Sequence, residues 1–182
     1  MRAKTGTTIY WALLVYEHWN IHVAATAKGL CYVGPQNAPL EELTRWAESR
    51  LHGCQLVQDR DALQPYTTQL AEYFQHGRKR FTVPFDLRGT PFQIAVWEAL
   101  SKIPYGQIRA YSDIAHDIQR QTAVRAVGAA IGANPALITI PCHRVIGKNG
   151  KLTGYRGGLD MKQQLLRLEH ENAVGATLEY LG

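Results

Sequence analysis

Near Asp86 the apolar pattern of this 182-residue chain changes period, and that switch constrains its fold more than any other feature. Before it, Thr7 to Tyr16 and Ile21 to Ala25 are runs of β-branched and aromatic residues, which predict strands. Gly29 to Gly34 predicts another short strand, stopped by Gly34-Pro35. Leu40, Leu43, Ala47 and Leu51 recur at spacings of three and four, a helix entered through Pro39. Leu63, Tyr66, Leu70 and Phe74 share the face of a second helix, opened by Pro65 and stopped by Gly77. Phe81 to Phe85 predicts an edge strand, because Pro84 cannot donate to a ladder.

After Asp86 the spacing is helical. Thr90 can cap a helix that Pro91 begins, with Phe92, Val96 and Leu100 on one face and Pro104 at its end. Tyr111 to Ile118 and Ala123 to Ala133 predict two more helices. The later one is capped by Thr122, and the tight connection from Gln119 to Thr122 suggests a helix-turn-helix. Leu137 to Ile140 reads as a buried strand, Gly154 to Gly158 as a loop, and Leu159 to Glu171 as a last amphipathic helix. The expectation is a two-domain chain: an α/β domain over residues 1–85 and a mainly helical domain over 86–182.

Apolar residues make up 46% of the chain and charged residues 19%, enough for real cores. The net charge of +5 is shared evenly: nine basic against seven acidic residues up to Phe85, eleven against eight after it. Such a surplus permits a polyanionic partner without requiring one. Arg78-Lys79-Arg80 reads as a solvated turn. No apolar run approaches the roughly 18 residues of a membrane span. Ile9 to Tyr16 is too short and has no cleavage site behind it, so neither a membrane association nor a secretory signal is expected. Cys31, Cys54 and Cys142 are too widely spaced for a disulfide framework or a four-ligand zinc site. The expectation is therefore no metal, and a reducing, cytoplasmic compartment.

Two features carry chemistry. In Pro141-Cys142-His143-Arg144-Val145 a thiol stands beside an imidazole, and cysteine reacts as the thiolate that a base or a positive charge produces. His143 need not bond Cys142 directly, because neighbours on an extended chain point to opposite sides. A bridging water, or a turn at Pro141, would let it act as base, with Glu169 or Glu171 holding the ring. The plainer alternative is a structural cysteine behind a core strand. The second feature is the helix beginning Ala123-Val124-Arg125-Ala126-Val127-Gly128-Ala129, with one long cation among small residues. Recognition helices that read base edges usually carry several long polar side chains. This one suits close approach to a backbone or a narrow groove, or simply tight packing.

These residues decide between the readings by resemblance. PCHRV, the upstream RAVGAAIGANP (Arg125 to Pro135) and the downstream GYRGG (Gly154 to Gly158) resemble the active-site signature of the O6-alkylguanine-DNA alkyltransferases. Thr90-Pro91-Phe92-Gln93, Val96-Trp97 and Ile103-Pro104-Tyr105-Gly106 are similar to that family's first active-domain helix and turn. The similarity covers most of residues 85–171, in the family's order and spacing. It implies an N-terminal α/β, ribonuclease H-like domain and a C-terminal, winged helix-turn-helix-like domain.

The resemblance implies that Cys142 accepts the alkyl group from guanine O6, with O4-alkylthymine as a second substrate. His143 would take the thiol proton through a water, and Glu169 would orient His143, since Leu165-Leu166-Arg167-Leu168-Glu169 fits the family's terminal pattern better than Glu171 does. Tyr111 would donate to guanine N3. Arg125 would fill the space left by a flipped nucleotide, with Ala126 and Ala129 close to the minor groove. Asn134 would hold the hinge between recognition helix and active-site strand. Tyr155, Arg156 and Gly157 would wall the guanine pocket, and the carbonyls of Cys142 and Val145 would accept from its exocyclic amine.

The implied partner is double-stranded DNA carrying O6-alkylguanine, met by a monomer that acts once, with no cofactor. Departures from the pattern are Gln119-Arg120-Gln121-Thr122 before the finger helix, Ala110 in place of a Ser or Thr cap, and Arg156 where a small residue often stands. Competing readings are a damage-binding relative without the acceptor cysteine, a cysteine hydrolase using Cys142, His143 and Glu169, and a helix-turn-helix regulator. The first is opposed by Cys142 itself.

Overall fold

A computed structural model describes the backbone of residues 6–181 and side chains through residue 173. The chain divides into two compact units, Met1–Arg88 and Gly89–Gly182, whose outermost residues lie outside the described ones.

In the first unit, β1 (Thr8–Tyr16), β2 (Trp19–Thr26) and β3 (Gly29–Val33) form an antiparallel meander. A fourth strand, β4 (Gln55–Gln58), pairs parallel to β1 and completes the order β3-β2-β1-β4. Alternation along β1 serves two helices. Ile9 and Trp11 pack with Leu43 and Ala47 of α1 (Leu40–Arg50), while Tyr16 stacks on Phe74 of α2 (Arg60–Phe74). This is the expected mixed α/β unit. The short β4 escaped the sequence reading because QLVQ offers only two apolar residues.

Two local expectations need correction. Pro65 lies inside α2 and does not open it. Asp59 caps the helix, its Oδ1 accepting the Ala62 N–H at 3.0 Å, and Pro65 removes only one internal bond while Leu63, Leu70, Tyr73 and Phe74 are buried. Phe81–Phe85 forms only a bridge, with Phe85 beside Leu30. The Leu30 N–H donates to the Pro84 carbonyl at 2.9 Å, and the missing N–H of Pro84 keeps the pairing from spreading.

The second unit opens with α3 (Pro91–Ser101). Thr90 Oγ1 accepts from the Gln93 N–H at 3.1 Å and Gln93 Oε1 accepts from the Thr90 N–H at 3.0 Å, a complete capping box. Buried Trp97 of α3 donates from Nε1 to the Ala130 carbonyl at 2.8 Å, pinning α3 to α5 (Val124–Gly132). Between them lies α4 (Tyr111–Asp117), which forms the helix-turn-helix with α5. Thr122 does not cap α5; the capping position falls on Ala123 and no side chain fills it. A parallel pair, β5 (Arg109–Ala110) with β6 (Val145–Ile146), ties α4 to the segment after Cys142. The last helix, α6, runs Leu159–Leu181, beyond the expected end at Glu171, since no proline stops it.

The predicted strand Leu137–Ile140 is a buried turn. Ile138 has φ 69°, a left-handed conformation unfavourable for a β-branched residue, and the Ile140 N–H donates to the Ala136 carbonyl at 3.0 Å. The apolar run recorded burial and not extension. This turn delivers Cys142.

Candidate active site

Cys142 begins a single 3-10 turn, Cys142–Arg144, that follows Pro141. Three surroundings fix its sulfur. Cys142 is 3% exposed, and burial raises its thiol pKa above the ordinary value. Against that, Asn134 Nδ2 donates to Sγ at 3.2 Å, and the charges of Arg156 and Lys162 also favour the thiolate. Asn134 is fully buried and uses its whole amide. Nδ2 also donates to the Ile140 carbonyl at 3.0 Å, and Oδ1 accepts the Ala136 N–H at 3.0 Å. The asparagine expected to brace a hinge thus also touches the sulfur.

His143 and Glu169 meet as the sequence suggested. His143 Nε2 lies 2.9 Å from Glu169 Oε1, and both side chains are buried. His143 Nδ1 is buried with no hydrogen-bond partner among the described residues, so the ring offers one nitrogen with a free lone pair. Burial lowers the His143 pKa, the Glu169 contact opposing, which keeps the imidazole neutral and able to accept a proton. With the ring neutral, Nε2–H donates to Glu169 and the counter-charge comes from Arg144. Burial resists ionisation of Glu169, but its bond from His143 and the Arg144 guanidinium together hold it at about 2.

Arg144 was quoted in the motif without a role, and its geometry supplies one. Nε donates to Glu169 at 3.1 and 3.0 Å, Nη2 at 2.7 Å, and Nη1 donates to the Ile103 carbonyl at 2.6 Å. The turn after α3 is thereby locked to α6. Lys162 was also missed. It is fully buried, with Nζ donating to the Val145 carbonyl at 2.6 Å and the Thr153 carbonyl at 3.2 Å. Its signal was present: Lys162, Leu165 and Glu169 lie three and four apart, a charged pair bracketing an apolar residue on one face of α6.

The remaining candidates fall into two groups. Tyr111, opening α4, has its hydroxyl 2.7 Å from Thr153 Oγ1. The Tyr155 hydroxyl is buried with no hydrogen-bond partner among the described residues. Gly157 is required where it stands, since an added Cβ would lie 2.5 Å from Met161 Sδ and 2.7 Å from Tyr155 Cε1. The Arg156 guanidinium does not project as a bare wall. Its Nε donates to the Asn134 carbonyl at 3.0 Å and Nη2 to the Pro135 carbonyl at 3.2 Å. On α5, Arg125, Ala126 and Ala129 are exposed while Val127, Ala130 and Ile131 are buried. Cys31 and Cys54 belong to the first unit, and burial raises the thiol of Cys31 to about 12, where it is inert. Among the described residues no group of three or more His, Cys, Asp or Glu is placed to hold a metal, and no helix is long and apolar enough to cross a membrane.

Comparison with known proteins meets this geometry from outside. Residues 91–171 match the family described as 6-O-methylguanine DNA methyltransferase, DNA binding domain, and residues 9–87 match the ribonuclease-like domain of the same enzymes. The inducible methylated-DNA–protein-cysteine methyltransferase of Bacillus subtilis is 60% identical over 162 residues, covering 89% of this chain and 90% of that protein. The crystal structure of Mycobacterium tuberculosis O6-methylguanine methyltransferase is 38% identical, with TM-score 0.76 over 90% of this chain and 94% of that one. The OGT of the same organism in complex with DNA is 38% identical, with TM-score 0.76 over 91% of this chain and 94% of that chain.

Proposed function

The chain belongs to the 6-O-methylguanine DNA methyltransferase family, and from that premise we propose that it repairs DNA by moving an alkyl group from guanine O6 onto Cys142 in one irreversible step. The observation that carries the assignment is a pair of buried contacts on consecutive residues: the Cys142 sulfur is held by the Asn134 amide, and the neutral imidazole of His143 is anchored by the Glu169 carboxylate.

The chemistry follows from the pKa directions. Burial keeps Cys142 a thiol at rest, so reaction needs a base, and neutral His143 is one. The thiol proton passes through one water to Nδ1, while Glu169 steadies the imidazolium that forms. Sγ attacks the alkyl carbon in line, the carbon–O6 bond breaks, and its electron pair returns to the guanine. Tyr111 donates toward N3 as that charge builds. A thioether does not revert, so each molecule acts once and needs no cofactor.

The alkyl group lies inside the duplex, so the nucleotide must turn out, at a cost of a few kcal/mol that is least for a poorly paired base. Arg125 on the exposed face of α5 fills the gap, and Ala126 and Ala129 permit close approach to the minor groove. Tyr155 and Gly157 border the base, and the Val145 carbonyl has a second lone pair for the exocyclic amine beside its bond from Lys162. The preferred lesion is O6-alkylguanine, with O4-alkylthymine second. The protein works as a monomer in the cytoplasm, a reducing setting that suits three free cysteines.

Titration with O6-methylguanine duplex tests this reading. Transfer stops at one equivalent per molecule; continued release of product would instead identify a cysteine hydrolase.

A further inference from the structure

Arg156 is expected to border the guanine, and its guanidinium also bonds the turn that follows α5. The loop that carries it is tightly built: Gly157 leaves no room for a Cβ, Gly158 has φ 90°, and the Gly158 N–H donates to the Tyr155 carbonyl at 2.9 Å. From this base the guanidinium spans two successive carbonyls, Asn134 at 3.0 Å through Nε and Pro135 at 3.2 Å through Nη2. These carbonyls lie just past Ala133, which closes α5, the negative end of a helix and a favourable place for a cation. The same two residues start the turn whose Asn134 amide reaches Sγ of Cys142 at 3.2 Å. One guanidinium fork thus bonds the backbone carbonyl of the residue whose amide gives the sulfur its one side-chain hydrogen bond among the described residues.

We propose that Arg156 is a positioning residue: by bridging the carbonyls of Asn134 and Pro135 it holds the Asn134 amide on Cys142 Sγ and so sets the reactivity of that sulfur. A planar guanidinium can make both bonds from a fixed geometry, whereas an ammonium is a point charge that cannot span them in the same way. The Asn134 amide is steadied by the Ile140 carbonyl and the Ala136 N–H, and Arg156 holds the backbone from which it projects. That backbone lies in a turn containing Pro135, which has no N–H of its own, and Ile138, which has an unfavourable φ of 69°. The positive charge of Arg156 adds to the effect by favouring the thiolate. The inference rests on Cys142 being the acceptor only for its consequence in repair; the link from Arg156 to the sulfur stands without it.

The test uses the full chain with Arg156→Gln, Arg156→Lys, Asn134→Ala and the Arg156→Gln/Asn134→Ala pair. Two quantities are followed against pH: thiolate ultraviolet absorbance, as the difference from the matching Cys142→Ser protein, and the single-turnover rate with free O6-benzylguanine. Arg156→Gln moves the thiolate titration upward and slows transfer about tenfold at neutral pH, the equivalent of one pKa unit, with the gap closing at alkaline pH. Arg156→Lys, folded and still charged, is displaced nearly as far. The double variant is only slightly slower than Asn134→Ala, by what the charge of Arg156 adds directly, because both changes otherwise remove the same contact. A wild-type titration in Arg156→Lys overturns the bridge, and so does a double variant whose loss is the product of the single losses. Should Arg156→Gln fail to fold, Arg156→Lys decides. If wild type itself leaves Cys142 unalkylated, the repair reading fails while the titrations still judge Arg156.

Discussion

Replacing Glu169 by Gln removes one negative charge and almost no volume, and its consequence can be worked out from the structure. Glu169 is 1% exposed and accepts from His143 Nε2 and from Arg144 through Nε and Nη2. Arg144 is itself 5% exposed, and its remaining bond is to the Ile103 carbonyl. Removing one partner of a buried pair costs about 3–5 kcal/mol, and glutamine keeps one acceptor oxygen, which favours the lower end. A second route gives the same size. Glu169 ionises at about 2 against an ordinary 4.5. That displacement is worth about 3 kcal/mol, and a protonated glutamic acid is nearly isosteric with glutamine. Melting at neutral pH followed by circular dichroism should fall by roughly 10 °C. The sign is fixed by linkage: the lowered folded-state pKa gives stability that is full above 4.5 and lost as pH falls toward about 2, so the gap between the proteins narrows over that window. Single-turnover transfer should slow by about 10²-fold, since the base loses the carboxylate that steadies its imidazolium. A variant that melts with wild type at neutral pH would refute the reasoning, and so would a gap that does not narrow in acid.

Other consequences follow from the same structure. His143 is held neutral by burial, so the unfolded chain takes up its proton first. Stability supplied above pH 6.5 therefore declines as pH falls below it, and urea unfolding of His143→Gln should lack that part of the dependence. Arg125→Ala should slow repair of alkylated duplex far more than reaction with free O6-benzylguanine, since only the duplex requires flipping; equal losses would remove the finger role. At the start of α4 Asp113 Oδ2 accepts the Ala110 N–H at 2.8 Å, but Ala110 has no oxygen to return the bond. Ala110→Ser should complete the cap and raise stability by about 1 kcal/mol, read by the same melts.

Much of this was legible in the chain. The strand-rich first unit, the helical second one, the Thr90 cap and the pairing of His143 with Glu169 all follow from local pattern or from motif. What escaped depends on tertiary partners. Leu137–Ile140 looked extended because β-branched residues signal burial in strands and in buried turns alike; only the Asn134 amide and the φ of Ile138 distinguish them. Pro65 looked like a helix start because its effect is local, whereas the Asp59 cap and the apolar face of α2 decide the boundary. Lys162 and Arg144 carry no role that the sequence alone assigns. Both are buried because carbonyls and a carboxylate meet them from segments far away in sequence.

The central claim is that one sulfur keeps the lesion's alkyl group. After incubation with O6-methylguanine duplex, peptide mass analysis should find about 14 Da added to the peptide containing Cys142, CH3 for H, and none on Cys31 or Cys54. An unmodified Cys142 peptide after the duplex has been repaired, or the methyl group on another cysteine, would contradict it.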